Sequence, residues 1–310
     1  MAALLEKPDA YLQPLFDSAP AAIAPPVRAY FEYYGLDVPE TDHRFGFFTS
    51  GAYRLAAHVF RPAKPQGTVV VLHGYYDHVG IMKNLIHFLL GKQYAVAAYD
   101  LPGHGLSTGE RAAIDSFQEY VAALEEFLRL CQPHLPGPFH LVGHSTGGAA
   151  ALDYLLTAEE IPVERTVLLA PLVRSYAWEI SKLGNVAAGP LVESIPRVFR
   201  SNSSDDQFVR FLREDPLQYG YFPLKWANAL YAWNDQIKTY PPSERPVLVI
   251  QGTADTTVDW KYNVEFIQEK LPTAKIVLLE RARHQLVNES RGLRGRLFED
   301  LVKYLSGSGS

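Results

Sequence analysis

The stretch at residues 138–148 reads PFHLVGHSTGG, and it decides the fold class of this chain. A short apolar run ends in GHSTG at 143–147, and a segment rich in alanine and leucine follows at once. That order predicts a strand, a sharp turn and a helix, with Ser145 at the apex of the turn. We expect Gly143 and Gly147 to be required there, because a Cβ at either position would collide with neighbouring backbone. The turn strains the serine backbone and exposes its hydroxyl at the edge of the sheet.

The composition is that of an ordinary globular protein and excludes several functional classes. Of the 310 residues, 47% are apolar and 20% are charged, which suits one α/β domain with an insertion, or two domains. The net charge of −5 and the lack of a basic run argue against nucleic-acid binding. The single cysteine, Cys131, permits no internal disulfide. Charged residues at positions 6, 7 and 9 interrupt any signal-peptide core, and no apolar run reaches the ~18 residues of a membrane span, so we expect a cytoplasmic protein.

Predicted strands and helices alternate along most of the chain. Two strands at 44–49 and 53–60 form a predicted hairpin. Further strands are predicted at 68–73, 94–100, 139–143, 166–170, 246–252 and 275–280, with helices at 27–34, 80–90, 116–130, 146–156, 260–271 and 291–305. The sequence therefore predicts an α/β fold with an eight-stranded, mostly parallel sheet and helices on both faces. In such a sheet, reactive groups gather at the carboxyl ends of the strands.

Three parts of the chain lie outside this alternation. Residues 1–43 are predicted to be a helical extension that packs on the core, and the core itself comprises residues 44–171 and 242–305. Residues 172–241 are interrupted by prolines and hold three of the four tryptophans, so they are predicted to form helices and loops without a buried strand. The tail at 306–310, SGSGS, resembles an artificial linker and is left out of the fold prediction.

A serine hydroxyl becomes a good nucleophile only when a base takes its proton and a third group orients that base. His284, just past the last predicted strand, is the predicted base. The orienting carboxylate should follow a neighbouring strand, and Asp255 lies in the loop after strand 246–252. Asp259 stands directly before a predicted helix, where an aspartate usually caps free N–H groups, so catalysis is assigned to Asp255. The predicted catalytic residues are therefore Ser145, Asp255 and His284.

Two backbone N–H groups are expected to form an oxyanion hole. One belongs to Thr146, at the positive end of the helix after the nucleophile. The other belongs to Tyr75, in the loop after strand 68–73, where Gly74 lets the chain turn tightly. His73 is expected to brace this loop and His144 to support the turn around the serine. Neither a metal nor an organic cofactor is implied by this set.

Five motifs occur in one order along the chain. They are HG-x-x-x-H at 73–78, D-x-P-G-H-G-x-S at 100–107, GHSTGG at 143–148, G-x-x-D at 252–255 and R-H-x-L-x-x-E at 283–289. This set resembles the α/β-hydrolase superfamily, and within it the monoacylglycerol lipase and lysophospholipase group, which is similar to the S33 serine aminopeptidases. The resemblance covers residues 44–305 and implies that 172–241 is a helical cap inserted between the sixth and seventh strands. One departure is the pair Tyr75 and Tyr76, where this group usually has a small residue, and two aromatic rings would narrow an acyl pocket.

The predicted function is that of a serine carboxylic-ester hydrolase acting through an acyl-enzyme. Expected substrates are monoacyl lipids (monoacylglycerol or lysophospholipid) or medium- and short-chain esters, with no nucleic-acid partner. Weak peripheral membrane contact through an exposed apolar patch of the cap is left open. One alternative is a serine aminopeptidase or amidase, which would need acidic cap residues facing the site. Another is a catalytically inactive member that binds a small ligand.

Candidate acidic residues for such an aminopeptidase are Glu179, Glu193, Asp205 and Asp206. The sequence alone does not place their side chains. Epoxide hydrolase and dehalogenase chemistry is disfavoured, because members of the superfamily with those activities use an aspartate where this chain has Ser145.

Overall fold

The computed structural model describes residues 1–16, 23–188 and 192–307. The strands are β1 (Thr41–Ser50), β2 (Tyr53–Pro62), β3 (Thr68–Leu72), β4 (Ala95–Tyr99), β5 (Phe139–His144), β6 (Arg165–Leu169), β7 (Ser194–Pro196), β8 (Tyr221–Pro223), β9 (Val247–Gly252) and β10 (Lys275–Leu279). The α-helices are α1 (Ala2–Glu6), α2 (Pro25–Tyr34), α3 (Lys83–Gly91), α4 (Gln118–Cys131), α5 (Thr146–Thr157), α6 (Trp178–Ala188), α7 (Asp206–Glu214), α8 (Leu224–Ile237), α9 (Trp260–Lys270) and α10 (Arg291–Leu305). The last three residues of the predicted linker, 308–310, lie outside the described residues.

Eight of the strands form one sheet in the spatial order β1-β2-β4-β3-β5-β6-β9-β10. The hairpin β1–β2 is antiparallel, and β2 also pairs antiparallel with β4. From β4 to β10 every pairing is parallel. The predicted eight-stranded, mostly parallel sheet is therefore confirmed. Its parallel part brings the carboxyl ends of β3, β5, β6, β9 and β10 to one edge, where the candidate site residues lie.

The sheet is buried on both faces, and β3 shows why its sequence has no polar alternation. Val70 and Leu72 point into a core shared with α4, α5, α8 and α9. Val69 and Val71 point into the opposite core, shared with α2, α3 and α10. Since both faces are covered by helices, every position of β3 favours an apolar side chain.

Helix α2 of the N-terminal part packs on the core through its aromatic residues. Helix α2 ends at Gly35, which adopts a left-handed conformation with φ of 66°. Tyr30, Phe31 and Tyr34 of α2 are buried in the same core as α3 and α10. The hydroxyl of Tyr34 donates a hydrogen bond of 2.6 Å to Asp215, far along the chain.

Residues 172–241, called the cap segment below, lie between β6 and β9 and contain α6, α7 and α8. They also contain the short antiparallel pair β7–β8, which was not predicted. These three-residue strands each end in a proline and have no run of β-branched residues, so the sequence pattern gives no strand signal. Trp226 and Trp233 of α8 are buried in the core shared with α4 and α5. Much of the aromatic content of the cap segment therefore serves packing.

The buried carboxylate of Asp153 joins the cap segment to α5, the helix that follows Ser145. Trp233 Nε1 donates a 2.7 Å hydrogen bond to Asp153 Oδ2, and Asp153 is 2% exposed. Burial outweighs this hydrogen bond and raises the pKa of Asp153 to about 6. Since the folded pKa lies above the unfolded one, the stability associated with this group is fully present only below the unfolded pKa of about 4 and is lost as pH rises from there through 6.

We expect Asp153→Asn to stabilise the protein progressively as pH rises, because the amide keeps the acceptor for Trp233 but never ionises. The gain in free energy of unfolding over wild type should increase by about 1–3 kcal/mol between pH 4 and pH 7. Urea unfolding followed by tryptophan fluorescence at both pH values measures it. A gain that is equal at the two pH values would contradict the expectation.

Candidate active site

The turn at Ser145 has the strained geometry that the sequence predicts. Strand β5 ends at His144, α5 begins at Thr146, and Ser145 between them has φ of 51° and ψ of −111°. A Cβ on Gly143 would lie 2.5 Å from the carbonyl oxygen of Gly147, and a Cβ on Gly147 would lie 2.6 Å from that of His73. Only glycine fits both positions, so the spacing of the motif follows directly from backbone contacts.

The structure brings together the three side chains predicted to be catalytic. His284 Nε2 lies 2.9 Å from Ser145 Oγ, and His284 Nδ1 lies 2.7 Å from Asp255 Oδ2. All three residues are buried, each at most 5% exposed. With Nδ1 donating to the carboxylate, Nε2 is left as the acceptor that faces the serine hydroxyl. The arrangement can therefore take a proton from Ser145.

Asp255 lies in the loop after β9, and its carboxylate accepts hydrogen bonds from four donors. Its Oδ1 accepts hydrogen bonds from the backbone N–H groups of Thr257 (2.7 Å) and Val258 (3.2 Å). Its Oδ2 accepts from Gln251 Nε2 (3.1 Å) as well as from His284. Burial would raise the pKa of Asp255, but the charge and hydrogen bond of His284 and these further donors together lower it. The carboxylate therefore stays ionised at neutral pH.

The structure corrects the prediction made for Asp259. This residue stands at the N-cap position of α9, as expected, but its side chain makes no capping hydrogen bond. Its backbone N–H instead donates to the carbonyl of Arg174 at 3.0 Å, which ties the loop to the start of the cap segment. The backbone path, which the sequence does not reveal, decides where this side chain points.

The loop after β3 passes directly over the serine. A Cβ on Gly74 would lie 2.9 Å from His144 Nδ1 and 3.1 Å from Ser145 Cβ, so any larger residue here would displace a neighbouring side chain. Among the described residues, the backbone N–H groups of Tyr75 and Thr146 have no hydrogen-bond partner. Tyr76 has a positive φ of 66°, which turns the loop away after the Tyr75 N–H. Two free donors on either side of Ser145 are what a developing oxyanion needs.

A cavity of about 460 Å³ opens above Ser145. Its walls carry apolar side chains from the cap segment, among them Ile180, Trp226 and Leu230. Tyr75 and Tyr76 also line it, and the Tyr75 ring stacks on Trp226 with centroids 3.9 Å apart. The ring of Tyr75 therefore joins the loop after β3 to the cap segment.

Comparisons with known proteins agree on one family. The family model for serine aminopeptidase, S33 matches residues 63–291. Human monoglyceride lipase is 30% identical over 267 residues, which cover 78% of this chain and 84% of the human protein. The chain belongs to the monoglyceride lipase group of the α/β-hydrolases. Phospholipase YtpA of Bacillus subtilis is 26% identical over 205 residues, covering 63% of this chain and 78% of that protein.

Solved structures of this hydrolase group share the fold. A soluble variant of monoglyceride lipase from Saccharomyces cerevisiae, in complex with a substrate analog, superposes with a TM-score of 0.74 at 18% identity. The match covers 87% of this chain and 96% of that one. The resemblance inferred from the five motifs is thus confirmed, and the chain is a hydrolase of this group.

Two histidines around the site of this α/β-hydrolase bind backbone groups. His73 Nδ1 donates to the carbonyl of Gly74 (2.7 Å), and its Nε2 accepts from the N–H of Leu101 (2.8 Å). Burial lowers the pKa of His73 to about 3, so the ring is neutral and links two loops. His144 Nε2 lies 3.1 Å from the carbonyl oxygen of His284, and its Nδ1 lies 3.6 Å from Asp77 Oδ2. His144 thus contacts the backbone of the residue that faces the serine.

No sequence pattern indicated which residues of the cap segment hold the loop after β3 (residues 73–78), called the oxyanion loop below. His78 Nε2 forms a buried ion pair of 2.9 Å with Asp215, whose other oxygen accepts from Tyr34. Burial would raise the pKa of Asp215, but the hydrogen bonds and charge of these partners lower it to about 2. Gln218 Nε2 donates to the carbonyl of Tyr76 at 2.9 Å. His78 belongs to a recognised motif, but its partner lies 137 residues away, where no local pattern could indicate it.

The described part of the chain contains neither a metal-binding cluster nor a membrane-spanning helix. No cluster of three or more histidine, cysteine, aspartate or glutamate side chains there could hold a metal ion. No described helix is long and apolar enough to cross a membrane.

Proposed function

We propose that this chain is a serine hydrolase that cleaves the ester bond of monoacyl lipids. The hydrogen-bonded series Ser145, His284 and Asp255 beneath an apolar-walled cavity supports this proposal. Ser145 Oγ attacks the ester carbonyl while His284 Nε2 takes its proton, and Asp255 stabilises the imidazolium that forms. The Tyr75 and Thr146 N–H groups stabilise the oxyanion. His284 returns the proton to the leaving alcohol, and water then releases the acyl group by the reverse sequence.

The shape of the cavity favours acyl chains of medium length. Its apolar walls come from α6 and α8 of the cap segment, and the rings of Tyr75 and Tyr76 occupy space that a small residue would leave open. The names of the relatives, monoglyceride lipase and phospholipase, agree with a monoacyl lipid or a short ester as substrate. We therefore expect turnover of monoacylglycerols and lysophospholipids that carry such chains.

The aminopeptidase alternative finds less support. An enzyme that binds a free amino terminus needs an available carboxylate facing its substrate, yet none of Glu179, Glu193, Asp205 and Asp206 lines the cavity. Asp77 does line it, but its Oδ2 already accepts a hydrogen bond from Gln285 Nε2 at 2.8 Å. Asp205 instead caps α7 by accepting from the N–H groups of Gln207 and Phe208. The cap segment contributes Arg197 and Arg200 to the cavity, and these would repel an ammonium group. An inactive binding protein would not require a histidine held between the serine and an ionised carboxylate.

Labelling by a fluorophosphonate probe tests whether the serine is reactive, and turnover of matched substrates tests the bond cleaved. The panel contains p-nitrophenyl esters from two to sixteen carbons, a medium-chain monoacylglycerol and an aminoacyl amide. We expect labelling, an optimum at medium chain length and at least about tenfold higher kcat/KM for the monoacylglycerol than for the amide. Absence of labelling would overturn the hydrolase proposal, and preference for the amide would favour the aminopeptidase.

We also propose that the mouth of the cavity contacts lipid surfaces. Ile180, Leu183 and Val198 are large apolar residues of the cap segment that are 72–77% exposed, and Ile180 and Val198 also line the cavity. Single exposed apolar residues are common, but a group beside a cavity indicates an interaction surface. Lipid would shield these side chains from water, with a gain on the order of 1 kcal/mol for each.

Changing Ile180 and Leu183 together to aspartate should lower binding to lipid vesicles about tenfold or more. Sedimentation with vesicles measures binding, and circular dichroism checks that the double variant is folded. Leu278→Asp, which changes an exposed leucine on β10, is the matched control. Equal vesicle binding by wild type and the double variant would refute the proposed contact.

A further inference from the structure

Arg197 is a cation set into the wall of the cavity beside the oxyanion loop. Its guanidinium stacks on the ring of Tyr76, 3.8 Å from the centroid. Its Nη1 donates to Gln218 Oε1 at 2.8 Å and to the carbonyl of Tyr219 at 3.4 Å. These contacts fix the plane of the guanidinium, and the half-buried side chain lines the cavity that holds Ser145.

Arg197 forms no direct ion pair with a described carboxylate, although the charges of Asp77 and Asp215 act on it from a longer distance. Among the described residues, no aspartate or glutamate oxygen lies within ion-pair distance of Arg197, and its Nε and Nη2 have no hydrogen-bond partner. Burial, the largest influence, lowers the pKa of Arg197, although an arginine keeps its charge. A partly desolvated charge that contacts only neutral acceptors is unfavourable until an anion joins it.

The carboxylate that does line the cavity is already engaged. Asp77 Oδ2 accepts from Gln285 Nε2 at 2.8 Å and lies 3.6 Å from His144 Nδ1. Burial would raise the pKa of Asp77, but His144 and Gln285 lower it, so this charge is satisfied on its own side of the cavity. It does not pair with Arg197.

Other polar groups lie on the same stretch as Arg197. Arg200 lines the cavity with an exposed side chain, and its single described contact is a long one of 3.5 Å to the carbonyl of Thr256. Asn202 also lines the cavity, and its buried Oδ1 has no partner among the described residues. Residues 197–202 thus contribute two cations and an unpartnered acceptor to a cavity whose apolar side chains come largely from α6 and α8.

We propose that the cavity selects monoacyl esters whose head carries a phosphate, with Arg197 as the residue that recognises the anion. This inference rests on the proposed ester hydrolysis at Ser145. The planar fork of a guanidinium matches two phosphate oxygens, and an exposed Arg200 adds charge at the mouth. Asn202 Oδ1 accepts a glycerol hydroxyl, while the acyl chain lies along the apolar wall.

The test uses three substrates with one acyl chain and one glycerol ester. These are octanoyl-glycerol, octanoyl lysophosphatidate and octanoyl lysophosphatidylglycerol, all used below the concentration at which they form micelles. We expect wild type to prefer both phosphate esters, and Arg197→Gln to reduce the ratio of phosphate-ester to octanoyl-glycerol kcat/KM about 10- to 100-fold. This ratio of kcat/KM values decides the test. If the variant supports the oxyanion loop less well, kcat/KM falls equally for all three substrates, and the ratio does not change.

Two further variants keep the test interpretable. Arg197→Lys retains the charge but loses the paired N–H donors of the planar guanidinium, so it should retain part of the preference for phosphate esters. Arg210→Gln removes an exposed charge of α7 outside the cavity and should leave the ratio as in wild type. A response to lysophosphatidate alone would assign the site to a phosphomonoester, and a response to both would assign it to phosphate in general.

The proposal is overturned if wild type shows no preference for the phosphate esters, or if Arg197→Gln leaves the ratio unchanged. Hydrolysis of octanoyl-glycerol with either of those results would leave the proposed function standing. Failure to hydrolyse all three substrates, with no fluorophosphonate labelling, would instead overturn the proposed function itself.

Discussion

Ser145→Ala is expected to lower ester turnover by at least about 10⁴-fold and to abolish fluorophosphonate labelling. Ser145 Oγ is the oxygen in hydrogen-bond contact with His284 Nε2, and alanine leaves that base without a nucleophile to activate. The oxyanion donors are backbone groups and remain, so residual catalysis by binding and polarisation should survive at a low level. The cavity keeps its walls, so substrate binding should persist.

Turnover of a monoacylglycerol and labelling of the purified variant measure this effect. Ser243→Ala, at a serine in the loop before β9 that does not line the cavity, controls for the loss of a hydroxyl. Labelling that persists in Ser145→Ala would mean that another nucleophile reacts, and the proposed mechanism would then be wrong.

Asp255→Asn should reduce kcat by about 10³–10⁴-fold with little change in the fold. The carboxylate accepts the proton-bearing Nδ1 of His284 at 2.7 Å. An amide whose NH₂ faced this nitrogen would favour the other tautomer, in which Nε2 carries the proton and cannot accept one from Ser145. The cause is thus the wrong tautomer of the base together with the loss of a charge that stabilises the imidazolium.

Asp259→Asn is the matched control, because the two aspartates lie in the same loop. Its side chain makes no capping hydrogen bond and does not line the cavity, so both kcat and the free energy of unfolding should change little. Steady-state kinetics and urea unfolding of the two variants distinguish these outcomes. Near-wild-type turnover in Asp255→Asn would show that the orienting carboxylate is not Asp255.

The strands of the main sheet could be predicted to within a few residues because each is a compact run with its own local signal. Strands such as β3 and β9 are buried on both faces and consist of β-branched or apolar residues. The pair β7–β8 lacked any such signal, since partial exposure and prolines remove it. Its existence depends on pairing between segments that are distant in sequence.

The residues of the site, too, could be predicted only where a local sequence signal marks them. Ser145, Asp255 and His284 could be proposed because each follows a recognisable strand, and parallel strands bring their carboxyl ends together. Asp77 and Gln285, which both line the cavity and form a 2.8 Å hydrogen bond, could not be proposed, because nothing local to either residue indicates the other. The side-chain direction of Asp259 likewise follows from the loop path rather than from its place before a helix.

The cap segment contacts the oxyanion loop through Gln218, which donates to the carbonyl of Tyr76, and through Asp215, which pairs with His78. Exchanging the segment inserted between β6 and β9 would therefore change more than the choice of substrate. A chimera that receives the cap of a relative would lose the parts that shape its own transition-state site unless both residues come with it. New specificity can accordingly evolve in this chain only through changes that keep the contacts of Gln218 and Asp215 with the loop after β3.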